Sequence, residues 1–226
     1  LDEPWLEGRR IVMLEPRRLA TRAAAQRMAA LLGEPVGQTV GYQTRDERRI
    51  GPATRIEVVT EGVLTRRLQH DPTLDGIGLV VFDEVHERNL PTDVGLALAL
   101  DARDAVRPDL RVLAMSATPD TKGLLKVLGA DTPVATSDGR LHPVDIVWAP
   151  MGKQDRPVEA CAALVVRALR EQAGSVLVFL PGIGEIRRVQ GMLEGAVPPD
   201  VDVYPLAGAL TQAEQDHALQ PSPHGR

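Results

Sequence analysis

Two adjacent acidic residues, Asp83 and Glu84, follow an apolar run that begins at Gly78 and predicts a buried strand. Open α/β sheets bind ligands at the carboxyl ends of their strands, which is where this pair would lie. In nucleotide hydrolases, the first acid of such a pair holds Mg²⁺, usually through water, and the second orients or deprotonates the attacking water. Acidic residues also end many strands as solvated caps, and the pair alone fits both interpretations.

The same stretch allows another kind of chemistry, a transition-metal cluster made of Asp83, Glu84, His86 and Glu87. A metal-dependent hydrolase is therefore an alternative. However, the spacing does not reproduce the i, i+4 histidine pair of the helical zinc motif, and the other histidines lie in surface or loop contexts. We expect the acidic pair to bind magnesium, with Mg²⁺ held through water.

Two hydroxyl residues, Ser116 and Thr118, close an apolar run that begins at Arg111. At the end of a strand, these hydroxyls could form hydrogen bonds with the imidazole of His86. Hydroxyl side chains also commonly cap a following helix, here the one predicted for residues 120–128, so the motif alone does not decide between the two roles.

Short apolar runs alternate with helical stretches along the chain, which predicts βα units and a parallel sheet covered on both faces. Strands are predicted at residues 10–14, 55–59, 78–83, 111–116, 133–136, 144–148, 175–180 and 201–204. Helices are predicted at residues 19–32, 62–68, 91–105, 120–128, 158–172 and 185–193. All but the last two or three strands are expected to share one sheet.

A change of composition between residues 137 and 156 indicates a domain boundary, because residues that break regular structure become dense there. We predict a first domain at 1–138, a linker region at 139–157 and the start of a second domain at 158–226.

The composition excludes several classes of protein. With 43% hydrophobic residues, 31 acidic and 26 basic, the chain is typical of a folded globular protein. Because only 3% of the residues are aromatic, nucleic-acid binding would depend on the backbone and not on stacked bases. A single cysteine, Cys161, excludes a disulfide framework and favours the cytoplasm. No apolar run is long enough to span a membrane.

Six motifs occur in the order typical of one enzyme family: LEPRRLA (14–20), GYQTR (41–45), TEGVL (60–64), DEVHER (83–88), SAT (116–118) and VFLPGIGEI (178–186). On these motifs the chain resembles the DEAH-box ATP-dependent RNA helicases of superfamily 2, in particular their bacterial HrpB branch. The resemblance covers essentially the whole chain. It implies two RecA-like α/β domains, both incomplete, with ATP and Mg²⁺ as cofactors and RNA as partner.

The resemblance also implies roles for individual residues. Glu84 and His86 would be catalytic, whereas Asp83, Glu84, Ser116 and Thr118 would bind the cofactor, with His86 linking the γ-phosphate site to the RNA cleft. Backbone contacts with single-stranded RNA are implied for Pro16, Arg17, Arg18, Arg45, Thr60, Glu61, Gly62, Pro181 and Gly182. Guanidinium groups, hydroxyls and the amides at a helix N-terminus can all donate hydrogen bonds to phosphate oxygens. Arg45 equally fits a solvated loop charge.

One motif required for ATP hydrolysis is absent from the 226 residues, the phosphate-binding loop G-x-x-x-x-G-K-[ST]. The family carries this loop before the position of Leu1, and it carries the arginine-finger motif after that of Arg226. We therefore expect the parent protein to be an ATP-dependent helicase and this chain alone to be catalytically incomplete. The alternatives are a non-catalytic nucleic-acid-binding protein with a degenerate helicase fold and a helicase directed at DNA.

Overall fold

A computed structural model describes residues 1–118, 122–137, 139, 142–152, 156–220 and 222 of the chain. The chain divides into two compact units, Leu1–Ser137 and Asp138–Arg226. Each unit has its own apolar core. The linker predicted at 139–157 includes residues outside the described ranges, and the predicted domain limits stay predictions.

The first unit is a six-stranded sheet covered by helices. Its strands are β1 (Arg10–Leu14), β2 (Val40–Gln43), β3 (Arg48–Arg49), β4 (Ile56–Val59), β5 (Ile77–Phe82) and β6 (Arg111–Ala114). The strand order is β3-β2-β4-β1-β5-β6, and all neighbours pair in parallel except β3, which is antiparallel to β2. The helices are α1 (Arg18–Leu31), α2 (Glu61–His70), α3 (Leu90–Ala105) and α4 (Lys122–Leu128).

The central strands are mostly apolar on both sides because helices cover both faces of the sheet, and the buried Glu57 of β4 is paired with Arg10 and Arg67. On one face, the side chains of Leu14 and Phe82 pack with α2 and α3 in the larger core cluster. On the other face, Val58 of β4 packs with Ala25 and Ala29 of α1. This layering fixes β1, β4 and β5 side by side in the middle of the unit.

Helix α1 ends at a glycine, as predicted from the sequence. Gly33 has a left-handed backbone (φ +71°), which a residue without Cβ adopts at little cost. Its amide donates to the carbonyl of Ala30 (3.1 Å), and the amide of Glu34 donates to that of Ala29 (3.1 Å). These two bonds form a Schellman motif, which satisfies the last carbonyls of the helix.

The second unit contains α5 (Pro157–Glu171), α6 (Ile183–Leu193) and α7 (Gln212–Ala218). Its core lies between α5 and α6, around Ala162, Val165 and Val189. A capping box begins α7, because the hydroxyl of Thr211 accepts from the amide of Glu214 and the Glu214 carboxylate accepts from the amide of Thr211.

The α/β class is confirmed, and the strands predicted at 10–14, 55–59, 78–83 and 111–116 correspond to β1, β4, β5 and β6. The predicted helix at 120–128 begins at Lys122 in the structure, and its first two predicted residues lie outside the described ranges. Strands β2 and β3 were not predicted, because Gly41 and the short lengths remove the apolar signal.

The strands predicted at 133–136, 144–148, 175–180 and 201–204 are wrong, since none of these described segments forms a strand. A strand requires a neighbour that shares its hydrogen bonds, and no ladder reaches these segments within the described residues. Residues 175–180 nevertheless keep the alternation of a strand, because Val178 and Leu180 pack on the α5–α6 core while Phe179 is 87% exposed.

Gly95 of α3 provides a test of core packing. A Cβ atom there would meet Phe82 at 3.5 Å and Leu14 at 3.9 Å, which are ordinary contacts. Gly95→Ala is therefore expected to raise the free energy of unfolding by about 0.5–1 kcal/mol, the usual cost of glycine within a helix. Gly41→Ala is the opposed variant, because its Cβ would lie 2.4 Å from the carbonyl oxygen of Arg49. Urea unfolding should show a higher free energy of unfolding for Gly95→Ala and a lower one for Gly41→Ala. Destabilisation by both substitutions would contradict the described packing.

Candidate functional site

The parallel strands bring the candidate residues to one edge of the sheet. Backbone hydrogen bonds continue past the strands, from the amide of Glu15 to the carbonyl of Val59 (2.9 Å) and from that of Asp83 to Leu14 (3.1 Å). The strand order then fixes the sequence of loops along this edge: Arg45 after β2, Thr60 after β4, Glu15 to Arg18 after β1, Asp83 and Glu84 after β5, and Ser116 to Thr118 after β6.

The backbone turns sharply at the acidic pair, directly after β5. Glu84 has a left-handed conformation (φ 54°), which is uncommon for a residue with a side chain. The amide of Glu84 donates to Oδ1 of Asp83 (2.8 Å) and holds this turn. Asp83 is half-buried at the end of β5, whereas the side chain of Glu84 is 42% exposed and accessible to water.

Glu15 is a candidate residue that the sequence motifs did not single out for the acidic site. It is buried directly after β1, beside the end of β5. Burial raises the pKa of Glu15 to about 7, helped by a hydrogen bond with Asp83 and by the charges of Asp83, Glu84 and Glu87. In the sequence, the one local feature that indicated a site role for Glu15 was its position directly after the apolar run of β1.

His86 lies between the acidic pair and the loop after β6. Its Nδ1 atom accepts from the amide of Ala117 (3.3 Å) and lies 3.3 Å from Oε2 of Glu84. The sequence left open whether the hydroxyls of Ser116 and Thr118 bond this imidazole, and in the structure they bond each other (3.1 Å). The backbone of the loop therefore replaces its hydroxyls as the partner of His86.

A short 3-10 turn, Val85–Glu87, carries His86. The amide of Val85 donates to the carbonyl of Met115 (3.1 Å), which attaches the turn to the end of β6. The side chain of Val85 is buried in the larger core cluster. Val85 therefore packs in the core and attaches the turn to the first unit.

Arg17 and Arg18 follow Pro16 at the start of α1, and both side chains are exposed. Arg17 donates to Oε1 of Glu87 (2.6 Å), so it connects the loop after β1 with the turn that carries His86. Arg18 donates to Asp46 (2.5 Å). Because both pairs are exposed, they contribute only about 0–1 kcal/mol to stability and can exchange partners readily.

The other predicted nucleic-acid contacts lie at helix ends or in loops. Thr60 is the N-cap residue of α2, and Gly62 in its first turn is exposed. Glu61 faces α3 instead, because its Oε1 atom accepts from the hydroxyl of Thr92 (2.9 Å). Arg45 is exposed beyond β2. Pro181 and Gly182 belong to the second unit, where Gly182 is the N-cap residue of α6.

The acidic residues after β1 and β5 fit a magnesium ion. Asp83 supplies a carboxylate oxygen, the ligand that Mg²⁺ prefers, and Mg²⁺ in nucleotide sites typically uses one or two carboxylates together with water and substrate phosphates. Burial is the main cause of the raised pKa of Glu15, but the charges of Asp83, Glu84 and Glu87 add to it, and a cation would offset those charges. Asp83 would hold the ion, and Glu84 lies beside it.

Within the described ranges, no group of three or more His, Cys, Asp or Glu residues is arranged as a metal site. The cluster of Asp83, Glu84, His86 and Glu87 therefore does not form the alternative zinc centre there. No helix in the described part of the chain has the length and apolar character needed to cross a bilayer.

Glu15→Gln is expected to change how stability depends on pH. Because the pKa of Glu15 rises from 4.5 to about 7 on folding, its stabilising proton is fully bound below pH 4.5 and is lost as the pH approaches 7. Glutamine stays neutral, so the variant should match the parent near pH 4 and exceed its unfolding free energy above pH 7. The gain is on the order of 3 kcal/mol, at about 1.4 kcal/mol per pKa unit. Urea unfolding at several pH values measures it, and a pH-independent difference would contradict the shift.

Comparisons with known proteins agree with the geometry. A model of the DEAD/DEAH box helicase family matches residues 4–127. The ATP-dependent RNA helicase HrpB of Escherichia coli K12 is 48% identical over 225 residues, which cover 100% of this chain and 28% of that protein. The chain thus spans little more than a quarter of the length of this curated relative.

Solved structures of the E. coli protein resemble the fold. A crystal structure of the E. coli DEAH/RHA helicase HrpB matches with a TM-score of 0.88 at 49% identity, over 96% of this chain and 28% of that one. A crystal structure of the E. coli DExH-box NTPase HrpB matches with a TM-score of 0.75 at 49% identity, over 96% of this chain and 27% of that one. The six-stranded, mostly parallel sheet is therefore RecA-like, and the chain belongs to the DEAD/DEAH box helicase family.

Proposed function

We propose that this chain forms part of an ATP-dependent DEAH-box RNA helicase, in which it activates water against bound ATP and binds the RNA backbone. The observation that carries this proposal is the acidic pair at the end of β5, where Asp83 is half-buried and Glu84 is accessible to water. Helicase function itself is supported by the family match and by the HrpB relative. ATP, Mg²⁺ and single-stranded RNA are the specific ligands we propose.

Glu84 is the proposed general base. Its carboxylate can accept a hydrogen bond from the attacking water and take up its proton, a contribution typically worth about 10²–10⁴ in rate. Glu84 has a left-handed backbone and contacts His86, whereas Asp83 accepts from the amide of Glu84, so the two carboxylates have different surroundings and can serve different ligands. Bound Mg²⁺ would be held by Asp83 through water and would neutralise charge on the phosphates.

His86 is proposed to position Glu84. Its Nδ1 atom lies 3.3 Å from the Glu84 carboxylate and 3.3 Å from the amide nitrogen of Ala117. An unprotonated Nδ1 accepts from Ala117 and a protonated one donates to Glu84, so His86 can exchange between the loop after β6 and the proposed base. Thr118 and Ser116 bond each other in this loop and are exposed, which leaves them available to a phosphate. A shift of the loop after β6 would then reach Glu84 through His86.

The proposed RNA path crosses neighbouring strands away from the acidic pair. Arg17 follows β1, Thr60 follows β4 and Arg45 follows β2, and adjacent strands of a sheet are about 4.8 Å apart. Guanidinium and hydroxyl groups in such a row can bind successive phosphates without reading bases. In the second unit, we propose that Pro181 and Gly182, at the start of α6, contact the RNA backbone.

The ion pair between Arg17 and Glu87 gives RNA binding a route to the catalytic turn. A phosphate that binds Arg17 competes with Glu87 for the same guanidinium, whose distance to Glu87 is 2.6 Å. Glu87 ends the turn that carries His86, and His86 contacts Glu84. Release of Glu87 would therefore change the surroundings of the proposed base when RNA binds.

The net charge of −5 is compatible with RNA binding, because affinity depends on the local potential of the cleft. Backbone recognition predicts binding that weakens as salt rises. The single Cys161 supports the proposal that the protein works in the reducing cytoplasm.

RNA-stimulated ATP turnover by the full-length protein tests the proposal. We expect single-stranded RNA to raise turnover and an equal concentration of single-stranded DNA to compete poorly. Stronger stimulation by DNA would support the DNA-directed alternative, and no ATP turnover with either strand would support a non-catalytic binding protein. The 226-residue chain alone is the matched control, since we expect it to hydrolyse ATP no faster than its Glu84→Gln variant.

A further inference from the structure

An open groove of about 610 Å³ lies in the first unit, between the loop after β2 and helix α2. Arg45 lines it from the loop, and Arg66, Arg67 and His70 line it from the helix. Among the described residues that line the groove, none is acidic. The groove therefore presents donors and positive charge to solvent.

Two of these arginines have uncompensated charges. Arg45 and Arg66 are exposed, and within the described ranges no acidic side chain forms an ion pair with either of them. Arg67 differs, because its guanidinium lies 2.7 Å from the buried carboxylate of Glu57 and donates to Gln43 (2.8 Å). Arg67 thus has a structural role, whereas Arg45 and Arg66 remain available to an anion.

The groove continues the row of proposed phosphate contacts. Strand β2 lies next to β4, and the amide of Thr60 donates to the carbonyl of Gln43 (3.2 Å), the last residue of β2. Helix α2 begins directly after Thr60 and carries Arg66 in its second turn. A strand of nucleic acid that passes from Arg17 to Thr60 is therefore led to the mouth of the groove.

We propose that this groove binds a phosphodiester group of the same RNA strand, held between the guanidinium groups of Arg45 and Arg66. Guanidinium forks match phosphate oxygens, and two of them facing one groove without a carboxylate favour an anion over a base. This inference rests on the proposed function, because it extends the RNA path by one site. It assigns Arg66 to RNA binding and decides the role of Arg45 in favour of the backbone.

The test measures how the affinity of the full-length protein for single-stranded oligo-U and oligo-A depends on salt. Arg66→Ala and Arg45→Ala are each expected to weaken binding roughly tenfold at low salt, as expected for loss of a charge-assisted contact. Each should also flatten the slope of log K against log salt by about 0.7, the value for one phosphate on a single strand. Arg66→Lys keeps the charge and should retain most of the slope.

Lys126→Ala is the matched control, because Lys126 is an exposed cation on α4, outside the groove. It should leave both affinity and slope unchanged. If Arg17→Ala weakens RNA binding while Arg66→Ala does not, the groove assignment is wrong and the proposed function stands. If neither variant weakens binding, the RNA path itself is wrong. A loss confined to oligo-A or to oligo-U would overturn the phosphodiester assignment in favour of a base.

Discussion

Glu84→Gln is expected to lower the RNA-stimulated turnover number of the full-length helicase by about 10²–10⁴, the usual contribution of a general base. Glutamine preserves the size of the side chain and the left-handed turn, but it cannot accept a proton from water. Glu84 is not part of the core, so the fold should be unaffected. Nucleotide affinity should change little, because the other proposed cofactor ligands, Asp83, Ser116 and Thr118, are retained.

Asp101→Asn is a suitable control for this variant, because Asp101 is an exposed carboxylate on α3 away from the acidic pair. It should retain parental turnover. Steady-state turnover and equilibrium binding of a fluorescent ATP analogue separate the two effects. Turnover within about threefold of the parent for Glu84→Gln would exclude Glu84 as the base, since base catalysis is worth far more.

The double variant Arg17→Ala/Arg18→Ala is expected to weaken binding of all single-stranded RNAs by at least roughly tenfold, because charge-assisted hydrogen bonds to two phosphates are lost. The slope of log K against log salt should flatten by about 1.4, or about 0.7 for each phosphate. Stability should change little, since both arginines form only exposed ion pairs.

The same double variant also removes the contact with Glu87 and should therefore reduce stimulation by RNA even at saturating RNA. Glu87→Gln separates the two roles, because it breaks the pair with Arg17 but leaves the arginine able to bind phosphate. Filter binding and ATP turnover measure both properties. Loss of affinity for only some sequences would contradict backbone recognition.

Central strands of the first unit could be predicted from the sequence because their signal is local. β1 consists of Arg10 and four consecutive apolar residues, and it was predicted with the bounds that the structure shows, Arg10–Leu14. β5 is likewise almost entirely apolar. β2 was missed because it is a four-residue strand interrupted by Gly41, and its place in the sheet depends on pairing with β4.

The strand predictions for the second unit failed because propensity cannot supply a partner. Residues 144–148 include Val144 and Trp148, whose types favour a strand, yet both are more than three-quarters exposed. Their hydrogen-bonding groups meet no neighbouring strand within the described residues. Helices α5 and α6 were predicted correctly, since their hydrogen bonds lie within each segment.

The candidate site could be predicted where its residues are neighbours in the sequence. Asp83 and Glu84 were identified because they end an apolar run. The contacts of Glu15 with Asp83 and of Arg17 with Glu87 join distant segments, and they depend on β1 lying beside β5. That neighbour relation comes from the strand order of the sheet, which short motifs do not encode.

A crystal structure of the full-length protein with Mg²⁺ and a non-hydrolysable ATP analogue tests the central claim most directly. The account predicts that Asp83 reaches the ion through water and that a carboxylate oxygen of Glu84 lies within hydrogen-bond distance of a water beside the γ-phosphate. A nucleotide bound elsewhere, with both carboxylates facing bulk solvent, would contradict it.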